Sequence, residues 1–469
     1  MPFKILTMLK KTFILIFLSA CSLINGNFIK TEYEEWFSSY LRNNKVGYNY
    51  YAIKKVLNYY EINERAVLYL KMLGQDKQLI TFTTIKLDNN LNAKSFTFEL
   101  KTDVQVKAIG KIENNKLIVE IEGSNMPKTK RTYELKHPFH LPQSLWALIL
   151  LKGKIPEETD IYDPTNFVLG SAKSENIGIL EIEYNGKIEK ANVYKIQMFG
   201  AETKIYISNN KIIKIESPFD ITLISEPKEI ATKISSEQLD VTLMFAIKPE
   251  GSFNPEKDSI VVLELDSLRG NLILELGPQK LIQKDNSKAI IEIKKQNINS
   301  LSQDTIIPDS IKIYLKPDEF AKTDHPRIKK LALEITKDKT TNLEKAQAIM
   351  NWVYNNLKKR PTVSVPNAIE VLDMGYGDCN EHSILYTALA RAVGIPTDII
   401  VGLIYQEGRY FYHAWTASYI GGNWIWIDPV FGQFPANIGH LMLQRGSIDK
   451  QAEIMGIVGK LNIKVLKVN

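Results

Sequence analysis

Residues 375–396 read GYGDCNEHSILYTALARAVGIP. Asp378 suits a helix N-cap, and Glu381 follows three residues later, the spacing of a capping box. Ile384, Leu385, Ala388, Leu389, Ala392 and Val393 then recur every three or four residues, which predicts one buried helix face. Gly394 and Pro396 stop the helix. Cys379 therefore falls on its first turn, where free N–H groups and the helix dipole favour an anion. At such a position a thiol pKa drops from about 8.5 to somewhere between roughly 3.5 and 7.5. A small buried hydrophobe is the competing reading of Cys379, but it leaves the cap around it unexplained.

Upstream, Thr341 and Glu344 have capping-box spacing. Leu343, Ala346, Met350, Val353 and Leu357 continue as an apolar helical stripe, and Pro361 ends that segment. Downstream come strands at TDIIVGLIY, RYFYHAWTASYI and NWIWIDPV. His413 shares a strand face with Phe411, Trp415 and Ala417. After Gly421-Gly422, the next strand carries Trp424, Trp426 and Asp428 on one face. A two- or four-residue turn pairs residue 420 with 423 and, counting back, 415 with 428. Asp428 is then diagonal to His413 on the same face, roughly 7–8 Å away at the backbone and within side-chain reach. The spacing proposes a nucleophile, a base and an orienting carboxylate: Cys379, His413 and Asp428. His382, three residues after Cys379 on the same helix, is the rival base. It lacks a third group to orient it.

The set GYGDCNEH, GRYFYHAWTASYI and GNWIWIDPV resembles the bacterial transglutaminase-like superfamily over about residues 318–435. The resemblance implies a papain-like core whose Cys-His-Asp triad falls on Cys379, His413 and Asp428. It also implies a peptide or protein substrate, and it requires neither cofactor nor metal. Members include peptidases, amidases and transamidases, so the family leaves the reaction open. The Cys379 N–H is expected in the oxyanion hole, with Tyr376 a candidate for the second donor. Trp415, Trp424 and Trp426 are candidates to line a substrate cleft, with core packing the competing reading.

The rest of the chain is β-rich. Phe96, Phe98 and Leu100, then Val104, Val106 and Ala108, then Leu117, Val119 and Ile121 alternate with polar residues, as half-buried strands do. Asn185-Gly186 between two such runs marks a tight hairpin. LPQSLWALILL (141–151) reads as a helix. Residues 30–232 are read as one antiparallel domain, loosely similar to half-barrel folds of bacterial envelope proteins. A smaller β-domain is expected at 237–317, with strands at VTLMFAI and SIVVLEL. A catalytic domain is expected at 318–445 and a C-terminal extension at 446–469. The class is thus α+β. His137 and His140 flank Pro138, but two ligands fall short of the three or four a metal site needs.

The first residues, MPFKILTMLKKTFILIFLSACS, have the basic, apolar and small-residue parts of a signal peptide over 1–20. The apolar run is far shorter than the ~20 residues of a spanning helix. Leu18-Ser19-Ala20-Cys21 resembles a bacterial lipobox, which implies lipidation of Cys21 and a membrane anchor. Ordinary secretory cleavage nearby is the alternative. Cys379 and Cys21 are the only two cysteines in the chain. A lipidated Cys21 therefore leaves Cys379 without a disulfide partner. The net charge is +6 over 469 residues. Lys4, Lys10 and Lys11 supply three of those charges, and 6 − 3 leaves +3. No basic stripe with interleaved aromatics accompanies them, which excludes a nucleic-acid partner. Two functions remain: a cysteine acyl-transfer enzyme of the cell envelope, or a binding and assembly module whose β-domains engage an envelope protein.

Overall fold

The computed structural model describes residues 29–72, 75–124, 126–199, 201–234, 240–268, 272–301, 306–360, 366–446, 454 and 461–469. The expected signal peptide and Cys21 lie outside the described residues. Fifteen strands between Ile29 and Ser225 form one sheet. The first strand, Ile29–Leu41, pairs with the last, Ile221–Ser225, so two arms run outward from the centre. The pairings are antiparallel except Phe139–His140 against Thr159–Asp163. Tight turns at positive φ set the register, as at Asn185 (51°) and Gly186 (72°), which join Tyr184 directly to Lys187. That is the hairpin expected from Asn-Gly.

Phe96, Phe98, Leu100, Val119 and Ile121 are all buried. They share one apolar cluster with the helix Pro142–Lys152, whose Leu145, Ala147, Leu148 and Ile149 face it. The helix is held by its first turn: the Gln143 carbonyl accepts from Tyr51 Oη at 2.8 Å. His137 lies 3.3 Å from Glu158, while buried His140 meets Ser144 Oγ at 3.1 Å. The two rings thus have separate partners.

The main core of the C-terminal half is continuous. It joins the strands Ile260–Asp266 and Lys288–Lys294 to the helices Pro326–Thr336, Asn342–Asn356, Ala368–Met374 and Cys379–Ala392. Two expectations change here. The stretch VTLMFAI is not a strand: Val241–Met244 is a helical turn whose Met244 N–H donates to the Asp240 carbonyl at 3.0 Å. Its Leu243 is 54% exposed, so no sheet face claims it. Nor does the C-terminal segment stand apart. Asn462–Val468 pairs antiparallel with Ile260–Asp266 and completes a four-stranded sheet with the expected small domain.

Candidate active site

The cysteine helix starts where the sequence places it. Glu381 reaches back, and its carboxylate accepts the Asp378 N–H at 2.7 Å. Gly377 is required beside it: a Cβ there would stand 2.2 Å from Glu381 Cβ. The helix packs on one face of a second four-stranded sheet, ordered Asn423–Ile427, Arg409–Ile420, Thr397–Gln406, His440–Arg445. Tyr386 Oη, midway along the helix, meets Ser418 Oγ of the sheet at 3.1 Å.

The turn at Gly421 (φ 57°) and Gly422 (φ 83°) has two residues and pairs Ile420 with Asn423. The register continues to Thr416 opposite Ile427, so Asp428 lies one step beyond, diagonal to His413. His413 Nε2 is 2.8 Å from Asp428 Oδ2. A carboxylate only accepts, so this nitrogen donates, and Nδ1 is left as the ring's lone pair. The other oxygen, Oδ1, accepts the backbone N–H groups of Val430 (2.8 Å) and Phe431 (3.1 Å). Burial opposes ionisation of Asp428, but the His413 and His440 imidazoles outweigh it and hold the carboxyl well below the usual range.

Cys379 arrives from the helical side of the sheet. The aspartate strand ends at Ile427, so its ladder stops at Thr416, and further along that edge Tyr410 pairs with Ile247 instead. The Ala414 N–H, one residue along from His413, acts on the sulfur and favours its thiolate. Among the described residues, no hydrogen bond joins the sulfur to the imidazole. Desolvation and then the Asp378 carboxylate push the thiol well above its ordinary value. Burial and the neighbouring acid thus act against the lowering expected from a helix start.

Buried His382 turns back on its own helix, with Nδ1 2.8 Å from the Asp378 carbonyl. A carbonyl accepts, so that nitrogen is a donor. Trp415 and Trp426 do not line a cleft; both are fully buried with Ile400, Ala436 and Met442. Trp415 stacks on the His413 ring, 6.1 Å between centroids at 14°. Trp424 is half-buried between Tyr314 and Tyr419. Tyr376 remains half-buried near the cysteine, with the Arg360 guanidinium 5.2 Å from its ring centre. Phe431, 39% exposed and 5.2 Å from the His413 ring, is an aromatic at the site that the sequence did not single out.

The reading also missed His440. It is fully buried, with Nε2 3.0 Å from Asp428 Oδ2, the oxygen that His413 also uses. The donor atoms of His413, Asp428 and His440 lie within 4.8 Å of one another, a grouping able to hold a metal ion. Hydrogen bonds already engage all three side chains. The available signal for His440 was a histidine opening the apolar run HLML, which reads equally as core.

Residues 329–429 match the family model of the transglutaminase-like superfamily. Similar solved structures include a candidate cysteine protease from Cytophaga hutchinsonii, 18% identical over 45% of this chain and 86% of that one, TM-score 0.33. Another is a β-barrel-like protein of unknown function from Brucella abortus, 14% identical over 41% and 94%, TM-score 0.32. A third is the periplasmic domain of TgpA from Pseudomonas aeruginosa, solved with ethylmercury, 15% identical over 42% and 92%, TM-score 0.28. At these scores the likenesses carry no argument about activity. No curated protein matches the chain in sequence.

Proposed function

We propose, from the premise of a transglutaminase-like core at residues 329–429, that the protein is an exported, lipid-anchored cysteine acyl-transfer enzyme acting on peptide amides. Cys379 attacks the amide carbonyl and gives its proton to His413 Nδ1. The tetrahedral oxyanion is met by the Cys379 N–H. Collapse breaks the C–N bond, the imidazolium protonates the leaving amine, and a thioester remains. Water, deprotonated by the same imidazole, then releases the acid; an amine in its place gives transamidation. Hydrolysis is the simpler outcome, since no feature of the sequence marks an amine site.

One observation carries this reading. The Asp428–His413 bond fixes an imidazole beside the backbone that holds the sulfur. Catalytic hydrogen bonds often tighten only in the substrate complex, so the reading does not require a preformed sulfur–imidazole bond. The test is to profile the purified protein against peptide libraries with and without a primary amine, with Cys379→Ala as control. Cleavage by wild type and none by C379A is expected. Activity that survives C379A, or turnover in no arm, contradicts the reading.

A second reading, a latent or scaffolding core in an envelope assembly, is favoured by the packing of partly buried Cys379 against the core. Turnover that appears only when a partner protein is added would select it. The anchor is proposed from the leader alone: fatty-acid labelling of cells should mark the protein, and Cys21→Ser should abolish the label.

A further inference from the structure

We infer that His440 is a positioning residue of this site, a second imidazole that fixes the Asp428 carboxylate against which His413 is aligned. The inference rests on the triad reading. His440 opens the strand His440–Arg445, at the opposite end of the sheet order from the aspartate strand. Its ring nevertheless lies 5.8 Å from the His413 ring and 5.0 Å from Trp415. Gly402 makes this approach possible: it pairs with both His413 and Met442, and a Cβ there would meet the Leu441 carbonyl oxygen at 2.0 Å.

The bonding around Asp428 gives His440 its role. The two backbone donors to Oδ1 come from the loop that follows. Among the described residues, Oδ2 receives only imidazoles, His413 at 2.8 Å and His440 at 3.0 Å. The second bond sets the rotation of the carboxylate plane and so the direction of the oxygen that orients His413. His440 is itself anchored, with Nδ1 3.1 Å from the Asn437 carbonyl. Asp428 is completely buried, so no water takes the place of a lost donor.

The test is acylation of Cys379 by p-nitrophenyl acetate, followed by p-nitrophenolate release and the mass of the acetylated protein. His440→Leu removes the donor; His440→Gln restores an N–H near the position of Nε2. H440L is expected to acylate about tenfold slower than wild type, and H440Q to recover to within about threefold. A role limited to packing would lower thermal stability without this rescue. H440L acylating like wild type overturns the inference, as does H440Q no faster than H440L. If His413→Ala also acylates at the wild-type rate, the triad reading fails and the positioning role falls with it. A slow H413A beside a normal H440L sinks the positioning role alone. Should H440L not fold, the side-chain ¹⁵N spectrum of wild type decides: Nε2 of His440 must carry its proton, and an unprotonated Nε2 overturns the inference.

Discussion

At the scale of single residues, the site is set by two opposed carboxyl effects. Asp428 is buried but kept charged by imidazoles on one oxygen and backbone donors on the other. Asp378, next to the sulfur, adds to the cost of a thiolate that burial already disfavours. Both effects favour the neutral thiol, so under the proposed mechanism His413 removes its proton during attack. Alkylation of Cys379 by iodoacetamide should keep rising with pH through 9; a plateau reached near neutral pH would show a preformed thiolate. The positions of Cys379, His413 and Asp428 were readable because each sits on a strict pattern, the cap at Asp378 or the alternation of a strand. The direction of the thiol's shift was not readable. Position on a helix gives the dipole, but only packing gives the desolvation that opposes it. The tryptophans show the same limit: alternation puts Trp415 and Trp426 on the imidazole face, and Ala436 and Met442 then cover them.

At the scale of elements, short motifs decided most of what was legible. Two glycines between strands fixed the register that delivers Asp428, because both residues take positive φ at no steric cost. Gly377→Ala should cost most of the activity, since the new Cβ collides with Glu381 and displaces the start of the cysteine helix. Unchanged acylation of Cys379 in that variant would contradict the account of the loop. The helix Asn342–Asn356 begins at Thr341, where Glu344 accepts the N–H groups of Thr340 (3.1 Å) and Thr341 (2.9 Å) and both hydroxyls. The Thr341 N–H first, then the other three donors, depress its carboxyl to about 2. A depressed folded-state pKa gives stability above the unfolded value near 4.3, lost as pH falls toward about 2. Glu344→Ala should thus lower the melting temperature at pH 7 and lose that effect near pH 2; an equal loss at both pH values would contradict the capping role. His440 belongs to a strand that reaches the site only through sheet topology, so no local motif announced it.

At the scale of the whole molecule, the β-rich half holds the transglutaminase-like half next to the loop that carries Cys379. Arg131 projects from the strand Met126–Glu134, and its guanidinium lies 2.9 Å from Glu370 Oε2 with both side chains largely buried. Glu370 also accepts the Asn367 N–H at 2.8 Å, capping the helix Ala368–Met374 that leads into Gly375 and the cysteine loop. Removing one member of such a pair strands a buried charge. Arg131→Met should cost about 3–5 kcal/mol of unfolding free energy, read from denaturant midpoints; a loss under about 1 kcal/mol would mark the contact as incidental. A pair separated by 239 residues has no local signature. The closing strand Asn462–Val468 was hidden for the same reason. Its alternation reads as a strand anywhere, but its partner lies some two hundred residues earlier.

The central claim is that sulfur, imidazole and carboxylate act as one unit, and acylation of Cys379 by p-nitrophenyl acetate in wild type and H413A tests it without knowledge of the natural substrate. General-base help is worth about 10²–10⁴-fold, so H413A should acylate at least about 100-fold more slowly at pH 7. Equal rates would contradict the account.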